Sequence, residues 1–94
     1  MIDAPTALAA GLVAEVVEDG ETLARAFALA GTIAARSPLA VRLAKESMLR
    51  SFETGLAAGL EFERKSFSLL AASEDRKEGI AAFLDKRQAS FEGR

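Results

Sequence analysis

EDRKEGIAAFLDKRQASF (residues 74–91) decides how the rest of the chain is read. Asp75 followed three residues later by Glu78 is an acidic capping box, so the spacing predicts a helix from Asp75 to about Arg87. Ile80, Phe83, Leu84 and Phe91 fall on one side of it. Phe83 and Lys86 are three residues apart and therefore neighbours on a helix surface. Two readings of that pair stand side by side. An exposed aromatic ring beside a cation can stack on a purine while the cation meets a phosphate. Alternatively Phe83 belongs to the core and Lys86 is simply solvated.

Working outward, four more helices and one strand are expected. Residues 56–72 carry Leu56, Leu60, Phe67 and Leu70 on one stripe. Gly55 marks a break before it. The preceding helix starts at Ser37-Pro38, with Ser37 as cap and Pro38 in the first position. It points Val41, Ala44, Met48 and Phe52 inward, with Arg42, Lys45, Glu46 and Arg50 largely outward. The same Ser-Pro pair ends the helix over 21–36, because a residue before proline avoids the helical region. That helix sets Leu23, Phe27, Ala30 and Ile33 on one apolar face. Near the start, Asp3 caps a short helix containing Pro5, and Gly11 stops it. LVAEVV (12–17) is β-branched and partly alternating, and reads as a short strand. A lone strand leaves its backbone groups unpaired, so it needs sheet from another chain or from a missing part of its own. The expected fold class is therefore mainly α: a single small domain over 1–94, with about five helices and one short N-terminal strand.

The totals exclude several functions. Ninety-four residues make one small domain. A net charge of −2 and a pI near 5.1 argue against nucleic-acid binding. Without cysteine or histidine there is no disulfide framework, no thiol chemistry, no ordinary neutral-pH base and no evident metal site. No apolar run approaches the ~20 residues of a membrane span, and no basic-then-apolar leader opens the chain. A cytoplasmic location is the expectation. Glu63 lies on the apolar stripe between Leu60 and Phe67, where a lone carboxylate needs a partner or a raised pKa. It reads as a general acid or base, or as a structural carboxylate paired with Lys45 or an arginine. No second catalytic group lies beside it, which favours pairing. Ser37, Ser73 and Thr6 lack the histidine a serine nucleophile uses and are better explained by capping. The glycines form no phosphate-cradling loop.

Three motifs in order carry a family resemblance: AGLVAEVV (10–17), SPLAVRLAKESM (37–48) and LEFERKSFSLLAASEDRKEGIAAFLDKRQASF (60–91). The last holds Asp75, Glu78, Gly79, Ile80, Ala82, Phe83, Asp85, Lys86, Arg87 and Phe91 in sequence. Together they resemble the C-terminal part of the enoyl-CoA hydratase/isomerase (crotonase) family, over essentially the whole chain. The resemblance implies a crotonase-type helical domain lacking the spiral core that would precede Met1. Residues 1–20 would join that core, and 21–94 would form the oligomerisation and CoA-lid region.

The resemblance further implies acyl-CoA as substrate, no separate cofactor, and a parent enzyme (a lyase or isomerase) of fatty acid metabolism. It implies a homo-oligomer, a trimer or hexamer in the full-length parent. The oxyanion hole and the catalytic carboxylates of such enzymes lie in the missing core, so no catalytic residue maps here and this chain alone is expected to be inactive. What maps is CoA contact, at Phe83 and Lys86, with Ile80 and Leu84 anchoring the helix. The rival expectation is a free-standing helical interaction module without enzymatic activity, and a third is a chain that complements a separately encoded core.

Overall fold

The structure is a computed structural model and describes residues 1–94. It contains five helices: α1 (Ala4–Ala9), α2 (Thr22–Ala34), α3 (Pro38–Arg50), α4 (Leu56–Ala71) and α5 (Glu74–Leu84). None is long and apolar enough to cross a membrane. The chain divides into two compact units, Met1–Gly31 and Thr32–Arg94.

In the first unit, Asp3 caps α1 as its sequence predicts: the Thr6 N–H donates to Asp3 Oδ1 at 2.9 Å. Gly11 ends the helix with φ +72°. There the Leu12 N–H reaches Ala7 O at 2.9 Å and the Gly11 N–H reaches Leu8 O at 3.0 Å, the paired closure that favours glycine. The strand expected at 12–17 does not form. Every other regular segment of the chain is helical, so no second strand exists to pair with it, and residues 13–17 make no backbone hydrogen bond. One side chain ties this stretch down. Glu15 accepts both arms of the Arg25 guanidinium, at 2.6 and 2.7 Å. That hydrogen bond lowers the Glu15 pKa and raises that of Arg25.

In the second unit, Ser37 precedes α3 with its hydroxyl facing the Ala40 N–H at 3.4 Å, and Pro38 opens the helix. α3 packs on α4, and α4 on α5. Ser51 and Thr54 donate their hydroxyls to Met48 O and Arg50 O, which closes the end of α3 without a glycine. The Arg50 guanidinium lies 4.2 Å from the centre of the Phe62 ring, binding the start of this turn to α4.

The core is small: Leu43 and Ala82 are its only buried hydrophobic residues, beside buried Ser66, Ser73 and Asp75. Most faces expected to point inward are open. Met48, Phe52, Leu56, Leu60 and Phe67 are exposed, as are Leu23, Phe27 and Ile33 on α2. Val41 and Leu70 are half-buried. The 3.6-residue period identified apolar stripes correctly, but nothing in this chain covers them.

α5 also departs from expectation at both ends. Its cap is Ser73, whose hydroxyl accepts the Arg76 N–H at 3.1 Å. Asp75 sits inside the first turn and is committed elsewhere. The helix stops at Leu84, short of Arg87, because the chain reverses at Lys86.

Candidate functional site

The segment after α5 folds back along it, and two carboxylates hold it there. Asp75 is 4% exposed. Its Oδ2 accepts the Ser37 hydroxyl at 2.6 Å, and its Oδ1 accepts the Glu92 N–H at 2.8 Å. The Gly93 N–H donates to both oxygens, at 3.0 and 3.2 Å. The Asp75 N–H in turn donates to Arg94 O at 2.9 Å. The Ser37 hydroxyl, followed by the tail N–H groups, holds the Asp75 pKa below 3.8, since all of them favour the ionised form.

Glu78 sits three residues on and does the same for the middle of the tail. Arg87 grips both of its oxygens, Nη1 to Oε1 at 2.6 Å and Nη2 to Oε2 at 2.9 Å. The Ser90 N–H adds a third bond to Oε1 at 2.8 Å. Arg87 first, and Ser90 second, lower the Glu78 pKa from 4.5 to about 2. Two contacts of close approach complete the closure. The Phe91 ring lies where a Cβ on Gly79 would sit 3.5 Å away, and Gly93, at φ +79°, passes 3.4 Å from Pro38 on the same measure.

Most of the terminal motif is therefore structural. Asp75, Glu78, Gly79, Ala82, Arg87 and Phe91 are used in closing the tail onto α5 and onto the start of α3. Ile80 and Leu84, expected as anchors, are 47% and 71% exposed. The anchoring is done instead by Ala82, which is 2% exposed, and by the Gly79–Phe91 contact. Large side chains flanking a helix face that lacks a partner stay open, whereas the small Ala82 lets the chain close over it.

Phe83 and Lys86 remain outside this closure. Phe83 is 83% exposed, so it packs on nothing within this chain, and Phe52, Leu56 and Phe67 are exposed likewise. Lys86 is exposed, and its ammonium enters none of the chain's ion pairs. The two are not stacked on each other, the sole cation–π contact being Arg50 with Phe62. Lys86 also has a left-handed backbone, φ +53°, the single non-glycine residue to do so. Its N–H reaches Phe83 O at 3.3 Å and the next N–H, of Arg87, reaches Ala82 O at 3.0 Å. This is the helix closure seen at Gly11, made here by a residue with a Cβ, at a backbone cost of roughly 1 kcal/mol or more.

Glu63 is exposed and makes no ion pair, with Lys45 or any arginine, so neither the burial argument nor the pairing expected for it applies. It borders a hollow of about 480 Å³ whose walls include Met48, Leu56 and Leu60. Ser37 is bonded to Asp75 and Ser73 caps α5. No cluster of three or more acidic side chains is arranged to hold a metal ion. The role of Asp75 was missed in the sequence. Its signal was present as two separate motif elements, Ser37-Pro38 and Asp75, with no local pattern to connect them.

The family model described as enoyl-CoA hydratase/isomerase matches residues 1–94. The chain belongs to the enoyl-CoA hydratase/isomerase family. Among curated relatives, it is 50% identical over 93 residues to a 2,3-dehydroadipyl-CoA hydratase of Escherichia coli, covering 99% of this chain and 36% of that protein. It is 48% identical over 94 residues to a probable enoyl-CoA hydratase of Rhizobium meliloti, covering all of this chain and 37% of that protein. Among solved structures, a putative enoyl-CoA hydratase/isomerase from Mycobacterium abscessus superposes with a TM-score of 0.93 at 40% identity. It covers 99% of this chain and 38% of that one. The chain thus spans little more than a third of the length of the relatives it matches.

Proposed function

We propose that this chain is the C-terminal helical part of an enoyl-CoA hydratase/isomerase-type protein of acyl-CoA metabolism, and that it completes a CoA-binding pocket and contributes to oligomer assembly. The catalytic core of such a protein lies outside these 94 residues. In this reading Phe83 and Lys86 contact CoA, the ring against the purine and the ammonium against phosphate. The observation that carries it is the division of the terminal motif: six of its residues are consumed by folding, while Phe83 and Lys86 stand free at the end of α5. Assembly is supported by the uncovered stripes of α3 and α4. Their hollows, one of about 330 Å³ walled by Leu43, Met48, Phe67 and Leu70, are apolar and fit packed side chains better than a charged ligand.

The test is titration of CoA into the chain and into Lys86→Ala, followed by amide NMR shifts. The expected result is saturable shifts near Phe83 and Lys86 and weaker binding by Lys86→Ala. Unchanged affinity in Lys86→Ala overturns the assignment.

A further inference from the structure

Lys86 occupies the position after a helix end where chains usually place glycine, and a residue with a Cβ stays there only when its neighbours fix it. Its neighbours are fixed on both sides. Before it, the Asp85 N–H donates to Ala81 O at 2.9 Å. After it, Arg87 is held twice, by its N–H on Ala82 O at 3.0 Å and by its guanidinium on both oxygens of Glu78. The Ser90 N–H returns to the same Glu78 at 2.8 Å. Lys86 therefore lies between a helix end closed on the backbone of Ala81 and Phe83 and a following segment, Arg87 to Ser90, tied to the Glu78 carboxylate. Glycine would fit this position without strain but would carry no cation.

We propose that Glu78 and Arg87 are positioning residues, whose ion pair holds Lys86 in its left-handed conformation and so presents its ammonium, with Phe83, to CoA; this rests on the CoA reading above. Neither residue touches the ligand. They act by removing backbone freedom that Lys86 would otherwise lose on binding. Arginine suits the task because its planar fork engages both carboxylate oxygens, which a lysine cannot do.

CoA itself is titrated into the wild-type chain, Arg87→Lys, Glu78→Gln and Lys86→Ala, with the Lys86 Cα shift and HN–Hα coupling followed by NMR. Arg87→Lys keeps the charge and Glu78→Gln keeps the shape, and helical circular dichroism of each variant checks that its helices are retained. Both are expected to move Lys86 out of the left-handed region and to weaken CoA binding about threefold, the factor an exposed bidentate pair supplies. A merely structural role would lower the melting temperature without moving the Lys86 coupling or the affinity of the folded chain. If Lys86→Ala weakens binding while Arg87→Lys and Glu78→Gln do not, positioning is overturned and the CoA reading stands. If Lys86→Ala binds as wild type does, the CoA reading fails and takes the positioning role with it. Unchanged Lys86 backbone signals in both ion-pair variants overturn positioning whatever the affinities.

Discussion

Ser37 and Asp75 lie 38 positions apart, and the hydroxyl of one donates to the carboxylate of the other at 2.6 Å. The bond joins the start of α3 to the start of α5. It also leaves Asp75 with its remaining acceptor capacity turned to the tail, where the Glu92 and Gly93 N–H groups meet it.

Asp75→Ala removes the acceptor for three donors at once. These N–H groups are part-buried, and without an acceptor they are better satisfied by water, so the tail detaches. Hydrogen exchange at the Glu92 and Gly93 amides is expected to accelerate about tenfold or more. Ser37→Ala, which leaves both amide bonds in place, should accelerate it far less. Equal protection in wild type and Asp75→Ala would show that the clasp does not hold the tail.

Acid should open the same closure. The folded pKa of Glu78 is depressed from 4.5 to about 2, so its contribution to stability is complete above about pH 4.5 and is lost as the pH falls through about 2. Asp75 is depressed in the same direction and adds to the effect. The carboxyl carbon of Glu78, followed by NMR, is expected to titrate well below a free glutamate, and Arg87→Lys should move it back upward. A midpoint near 4.5 in the native chain contradicts the bidentate pair.

Two glycines of the closure should respond in opposite directions to alanine. A Cβ on Gly79 would meet the Phe91 ring at 3.5 Å, an ordinary contact, and Gly79 lies within α5. Gly79→Ala is expected to stabilise the chain by about 0.5–1 kcal/mol through helix propensity. Gly93 has φ +79° and its Cβ would meet Pro38 at 3.4 Å. Gly93→Ala is expected to destabilise by ~1 kcal/mol or more. Denaturant melts of the two variants, compared with wild type, check the signs.

The open stripe of α4 should drive association. Leu56 and Leu60 are 79% and 47% exposed and border one apolar hollow with Met48. Sedimentation of the chain is expected to depend on its concentration, and the double variant Leu56→Ser with Leu60→Ser should reduce that dependence while leaving helical circular dichroism intact. A wild-type chain that sediments as a monomer at all concentrations excludes this face as an interface.

The parts of the fold governed by neighbouring residues were legible in the sequence. Asp3, Gly11, Ser37-Pro38 and Gly55 mark helix ends, because caps and stops depend on a few adjacent positions. The strand at 12–17 was misread because β-branched composition reports how a segment would pack, not whether a partner strand is present. The apolar stripes were found, but periodicity cannot say what covers them. Of the candidate site, Phe83 and Lys86 are both exposed and lie outside the closure of the tail. The clasp of Glu78 with Arg87 was not legible, since it depends on a reversal at Lys86, a residue type that seldom makes one. The spacing of Asp75 to Glu78 fits a helix cap, whereas its actual partners arrive from opposite ends of the second unit.

The knot at Asp75 also limits how the molecule can be recombined. Pro38 fits against Gly93, and Ser37 is bonded to Asp75, so α5, the tail and the first two residues at α3 are one interlocking set. A hybrid that exchanges residues 74–94 with a homologue must import the matching Ser-Pro pair as well. The better crossover is the turn at 51–55, whose side-chain hydrogen bonds are all local; but a junction there still separates Ser37 from Asp75, so only parents sharing both halves of the lock should yield folded offspring.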